Sequence, residues 1–281
     1  MITIPELAAE ALGSHLAEHL DRRFASSDKG LIEIVQSAAR LALDCIGNSD
    51  ALYHDVEHTM LVTLAGYDIL RGRMLSTLTH ASDFAHILIA CLLHDIGYVR
   101  GILKGDSRDG SYIIDAKGNK ANLPRGSSDA ALLPYHVDRS KLFVMDRIGK
   151  IEALDAVRIA NAIEFTRFPV APAADASDNE DGMLVRAADL IGQLGDPHYL
   201  RKANALYYEF EEVGMNKQLG YTSPADLTDL YPRFYWSSIS PHIQSAISYL
   251  SVTSSGRSWI ANLYSNVFCA ERELNLYGPQ R

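Results

Sequence analysis

The chain of 281 residues is 47% hydrophobic and carries a formal net charge of −9, apolar mass enough for one large or two small domains. With no basic run or stripe, that acidic balance excludes nucleic acid and anionic membrane surfaces as main partners. No apolar run approaches the length of a membrane span, and Met1-Ile2-Thr3-Ile4-Pro5 leads into an amphipathic stretch rather than a signal peptide, so a cytoplasmic protein is expected.

Residues 5 to 25 read as a helix with Leu7, Ala8, Leu12, Leu16 and Leu20 on one stripe. A second helix follows over 28 to 47, with Asp28 as its N-cap and Gly47-Asn48-Ser49 as its stop. These two serve as packing scaffold, and a homodimer role stays open. Thr59 to Leu70 is apolar at helical intervals, and Asp83 to His94 is a second buried segment. Ser111 to Asn119 reads as two short extended pieces around a Gly118-Asn119 turn, in a loop placed beside the active site because it follows His94-Asp95. Between Ser127 and Ile148, Asp138 is favoured as the N-cap of a helix and His136 as a surface or cap histidine. A long helix is expected from Ile148 to Phe168, then a polar loop from Pro169 to Asp181. The Asp189 helix ends at Gly195-Asp196-Pro197, where His198 caps the next one. Helices over 239 to 252 and 258 to 276 look structural. Cys45, Cys91 and Cys269 are unpatterned in apolar helical contexts and read as buried thiols of a reducing compartment.

The fold class is therefore all-α, a bundle of about ten to twelve helices with a small β-hairpin excursion near residues 111–122. One domain is expected over 1–281, with N-terminal scaffold helices over 1–50, a helical core over 51–250 and a C-terminal helix over 251–281.

The stretch Tyr53-His54-Asp55-Val56-Glu57-His58 carries two histidines four apart, a spacing that sets both imidazoles on one helix face. His94 and Asp95 close the apolar run Ile87 to Leu93, and Asp189 sits in the apolar helix Val185 to Ile191. A carboxylate and an imidazole at the end of a buried segment are costly unless paired, and a metal ion pairs both at once. A lone histidine on an apolar face is ordinarily a hydrogen-bonded core residue. The joint pattern reads instead as a mixed nitrogen and oxygen site for a divalent metal, formed by His58, His94, Asp95 and Asp189. Those donors suit zinc, iron or manganese at the tighter position.

Tyr53-His54-Asp55, His58, His94-Asp95 and Ala188-Asp189-Leu190 together resemble the HD superfamily of metal-dependent phosphohydrolases, within it the catalytic domain of class I cyclic nucleotide phosphodiesterases. The resemblance spans about residues 50 to 250. It implies two divalent ions bridged by Asp95, with magnesium or manganese at the second position. It also implies hydrolysis of a cyclic-nucleotide phosphodiester by a metal-activated water, with His54 as the general acid. Tyr53, Tyr231 and Phe234 fall at substrate-binding positions. Glu164 becomes a carboxylate that orients a ligand or water, and Asp55 either holds His54 protonated or stands exposed. The chain departs from the family at Tyr98 (a histidine there), Phe143 (a glutamate), Met145-Asp146 (paired histidines) and Tyr231 (the glutamine that reads the base). Two alternatives stay open: a nucleotidase or other phosphomonoesterase of HD type, and a non-catalytic metal- or ligand-binding protein. A small phosphorylated partner, a nucleotide, is implied.

Overall fold

In a computed structural model, residues 2–24, 29–107, 109–169 and 179–277 are described. The Asp28 cap and residues 170–178 of the polar loop lie outside them. Helices α1 (Ile4–Phe24) and α2 (Lys29–Ile46) pack on each other through Leu12, Leu16 and Leu20 against Val35, Ala39 and Leu43. Helix α3 (Val56–Arg73) follows, then α4 (Ala81–Leu93). Phe84 to Leu93 are all buried, so α4 is apolar around its whole circumference and forms the centre of the bundle. Around it lie α2, α3, α6 (Ala156–Ile163) and α7 (Glu180–Leu194).

Close approach of α3 to its neighbours depends on small residues. A Cβ on Gly192 would lie 2.6 Å from Val62 Cα, and one on Gly66 would lie 2.9 Å from Cys91 Sγ on α4. Gly192 lets the α3 and α7 backbones meet, and that contact carries His58 towards Asp189. Gly97 works the same way at the turn after Asp95, where a Cβ would fall 2.0 Å from His136 O. Helix α5 (His136–Arg147) is thereby seated against the 3-10 turn Ile96–Tyr98. Two α5 side chains lock this contact. Ser140 Oγ donates to His94 O (2.6 Å) and accepts from Gly97 N (2.9 Å). The fully buried Arg139 donates to Gly97 O and Val99 O and pairs with Asp106 through both terminal nitrogens.

Beyond α7 come α8 (Tyr199–Glu212), the short helices α9 (Met215–Leu219), α10 (Pro224–Asp229) and α11 (Tyr231–Phe234), and a π-turn over Tyr235–Ile239. Helices α12 (Ser240–Ser251) and α13 (Ser254–Tyr277) complete the all-α bundle. The hairpin is present: β1 (Ser111–Ile113) pairs antiparallel with β2 (Lys120–Asn122), Ser111 opposite Asn122. Asp115 closes it by accepting from Lys117 N and Asn119 N, and Gly118 turns through φ 81°. No described helix is long and apolar enough to cross a membrane.

Several expectations are corrected. The long helix over 148–168 is broken: a 3-10 turn covers Ile148–Lys150, α6 starts only at Ala156, and another 3-10 turn covers Glu164–Thr166. Asp155 enforces the restart by accepting from Arg158 N at 3.0 Å as an N-cap. Asp138 is not a cap but lies inside the first turn of α5, paired with Arg167. Glu180 and Asp181 belong to α7, which Asn179 caps by accepting from Gly182 N, rather than to the preceding loop. Only Cys91 is fully buried; Cys45 is half-buried, and Cys269 is exposed on a face of α13 turned away from the buried Leu263, Val267 and Ala270.

Candidate metal centre

Helix α3 does not begin where the His54–His58 spacing suggested. Asp55 Oδ1 accepts from His58 N at 2.9 Å, and this cap starts the helix at Val56. His58 sits in the first turn, while His54 precedes the helix. Their rings nevertheless lie 5.3 Å apart, edge to face.

Four side chains converge, from α3, from the end of α4 and from α7. His58 Nε2 lies 3.2 Å from Asp95 Oδ2 and 3.5 Å from Asp189 Oδ1. His94 Nε2 lies 3.1 Å and 3.6 Å from the same two oxygens. His94 Nδ1 is 2.8 Å from Cys91 O. Because a carbonyl only accepts, the proton belongs on Nδ1, and Nε2 turns a lone pair to the centre. His58 Nδ1 and Nε2, His94 Nε2 and Asp95 Oδ2 are buried without a hydrogen-bond partner among the described residues. Buried polar atoms are almost always satisfied. Three of these, His58 Nε2, His94 Nε2 and Asp95 Oδ2, are turned towards one point, and left unsatisfied they fit a cation, since donors about 2.0–2.2 Å from a metal lie about 3–3.6 Å from each other. The charges agree. Burial pushes the His94 imidazole down, but the Asp95 and Asp189 carboxylates outweigh it and hold its pKa well above the ordinary value. Burial likewise opposes an ionised Asp95, yet His94 and His54 hold it well below the usual carboxylate range. The carboxylates draw a positive charge into this space, as a proton or as a metal ion.

The structure brings His54, His58, His94, Asp95 and Asp189 together. A third cluster that could hold an ion, Glu57, Asp196 and His198, already contains an ammonium, with Lys202 Nζ 2.8 Å from Glu57 and 2.6 Å from Asp196. His198 stands at the N-cap position of α8 without a capping side-chain bond.

Two residues at the centre escaped the sequence reading. Glu209 Oε2 lies 2.5 Å from His54 Nδ1, while its Oε1 accepts from Tyr53 N and His54 N. Glu209 is 1% exposed. Its signal was a carboxylate on the face of α8 that also buries Ala203, Leu206 and Phe210. His54 is raised to about 9: burial depresses it, and the Glu209 and Asp95 carboxylates more than reverse this. His136, read as a surface or cap residue, is mostly buried. Its Nδ1 donates to Leu133 O at 2.6 Å, and its Nε2 points at Asp95 Oδ1 from 3.6 Å. No local feature marked it, because the close approach at Gly97 places it. Tyr98 is sandwiched between the His54 and His136 rings, 4.6 Å from each.

A cavity of about 140 Å³ opens from this centre. His54, Asp95, His136 and Asp189 line its polar end; Phe165, Phe168, Phe210, Phe234 and several leucines line its walls. Phe234 lines this cavity. Tyr231 is not among its lining residues, being 1% exposed and packed on Tyr199 and Tyr235. Tyr53 is buried behind His54 and His58, with ring centroids 5.3 Å and 5.5 Å away. Glu164 stands apart from the centre in a partly exposed pair with Lys141 and Arg167. Asp55 is spent on the α3 cap, and Glu209 takes the His54 role once assigned to it. The hairpin does not line the cavity, and of the loop after Asp95 only Tyr98 does. The hairpin is tied instead to Arg139 of α5, which donates to Ile113 O, and to Asp106, which accepts from Ile113 N.

Neither the curated proteins nor the solved structures contain a match to this chain. The Npun_R2479-like family matches residues 3–273, nearly the whole length. The chain belongs to the Npun_R2479-like family.

Proposed function

We propose that this protein is a metal-dependent phosphohydrolase of the HD type, cleaving a small phosphate ester whose organic group occupies the aromatic cavity. The observation that carries this reading is the convergence of His58, His94, Asp95 and Asp189 beside a histidine, His54, that is backed by its own carboxylate. His58, His94, Asp95 and Asp189 would hold a divalent ion, and Asp95 with His136 offers positions for a second. Such ions polarise a phosphoryl oxygen and make water a competent nucleophile near neutral pH.

The chain's own residues do the rest. Glu209 accepts the Nδ1 proton of His54, which holds the ring in its protonated form and directs Nε2–H to the cavity. Hydrolysis forms a P–O bond from water and breaks the P–O bond to the leaving group. The departing oxygen takes the Nε2 proton of His54, and the proton released by the attacking water restores it. Tyr98 keeps the His54 ring from rotating by stacking on it. The phenyl groups exclude water and hold the organic part of the ester. Among phosphate esters, a cyclic nucleotide is the substrate that the sequence resemblance suggests, with Phe234 against the base.

The test is elemental analysis of protein purified without chelators, together with turnover of bis-p-nitrophenyl phosphate, cyclic nucleotides and nucleoside monophosphates. Bound transition metal and chelator-sensitive cleavage are expected. Absence of metal, with none taken up on addition, refutes the reading. Metal without cleavage of any ester favours the non-catalytic alternative.

A further inference from the structure

Three arginines are buried in the described part of the fold: Arg73, Arg139 and Arg186. Arg73 pairs with Glu180 and Arg139 with Asp106. Arg186 pairs with no carboxylate among the described residues. Its Nε donates to Phe165 O at 3.0 Å, and its Nη1 is 3.2 Å from His242 Nδ1. Its guanidinium carbon stands 4.9 Å from the centre of the Phe165 ring. No bond to Nη2 is found among the described residues. A buried cation without a counter-charge is costly, yet this one forms part of the wall of the cavity that opens from the metal centre.

Arg186 is one turn before Asp189 on α7, but the two act separately. Burial alone depresses the guanidinium, and no carboxylate of the metal centre offsets it. Besides the metal centre, the cavity lining carries Arg186 and the neutral polar side chains Thr166, Gln193, Tyr199 and Tyr221. Much of the rest is apolar, including Phe168, Phe210, Phe234 and Leu190.

We propose that Arg186 is an anion-recognition residue, and that the ligand of this cavity carries an oxyacid group on an apolar body, separate from the group presented to the metal centre. A guanidinium held by Phe165 O and His242 is preorganised, with its remaining N–H groups free to bind a carboxylate, sulfonate or phosphate in a charge-assisted manner. The apolar walls suit an aromatic or branched aliphatic body better than a sugar. A cyclic nucleotide carries its single charge at the scissile ester and offers nothing to Arg186, so this inference disfavours that substrate. It rests on the cavity being the substrate site, as proposed above, but not on hydrolysis.

The experiment reads binding rather than turnover, on the metal-loaded protein, so its outcome is independent of whether a phosphate ester is cleaved. The probes are 6-bromo-2-naphthoate and the neutral 6-bromo-2-naphthamide, compared by calorimetry. Wild-type protein is expected to prefer the naphthoate by about tenfold or more. Arg186→Gln, which retains a donor for Phe165 O, is expected to abolish that preference and leave metal content and amide binding unchanged. Arg186→Lys should restore it in part. A preference that survives in Arg186→Gln, no preference in wild type, or no binding of either compound overturns the proposal. A crystal structure of wild-type protein with the naphthoate decides the matter even if the variants fail to fold. A carboxylate within hydrogen-bond reach of Arg186 supports the proposal, and one seated in the metal centre overturns it.

Discussion

His54 Nδ1 and Glu209 Oε2 stand 2.5 Å apart, joining the segment before α3 to the middle of α8. The same carboxylate accepts the backbone amides of Tyr53 and His54. It therefore holds both the ring and the loop that presents it. Burial works against the carboxylate, but His54 outweighs this and holds Glu209 below its usual range. The imidazole is raised to about 9.

This pair sets a pH window. The depressed Glu209 contributes stability that is present above the ordinary glutamate value and lost as pH falls through its lower folded value. The raised His54 contributes stability that is present below its ordinary value of about 6.5 and lost as pH rises through about 9. Thermal melts of wild type and Glu209→Gln across pH 3 to 10 should differ most in the middle of that range and converge at both ends. A difference that is constant with pH would contradict the assignment.

His54→Ala should retain metal and fold but lose turnover of a phosphodiester by about 10² to 10⁴. The loss should shrink for nitrophenyl esters, whose leaving group departs with little protonation. Metal analysis and parallel rate measurements on both ester types check this. If the variant loses its metal, His54 is a ligand and the division of roles is wrong.

His94→Ala and Asp95→Ala should each lose metal and stability together. Each substitution leaves buried partners unmatched, at about 1–3 kcal/mol or more. Metal content and denaturant midpoint, measured on the same preparations, should fall in both variants. Unchanged values in both would remove the metal centre.

Gly192→Ala tests the packing that assembles the centre. The new Cβ would sit 2.6 Å from Val62 Cα and 2.7 Å from Val62 N, both backbone atoms that cannot rotate away. Forcing α3 off α7 should cost about 1–3 kcal/mol. It should also weaken metal binding, because His58 and Asp189 lie on the two separated helices. A destabilised protein with unaltered metal affinity would show that the centre tolerates the shift.

The periodicity of α1 to α3 was legible in the chain because burial of one helix face repeats every three to four residues, and α4 was legible as an unbroken apolar run. So were the convergent His58, His94, Asp95 and Asp189, since each is a polar group set where only apolar ones belong, and that anomaly is local. The hairpin could be read from its turn residues for the same reason. Boundaries that depend on caps were less visible: the break before α6 rests on Asp155, and the start of α3 on Asp55 rather than on the His54–His58 spacing. Three side chains remained hidden from the reading of the chain as site residues. Glu209 reaches His54 from 155 positions away, His136 reaches Asp95 across the contact at Gly97, and Arg186 differs from Arg73 and Arg139 only in lacking a carboxylate nearby. Periodicity reports which residues are buried, whereas the identity of their partners depends on which helices approach closely. That is decided by packing at Gly66, Gly97 and Gly192, and by the whole tertiary structure around them.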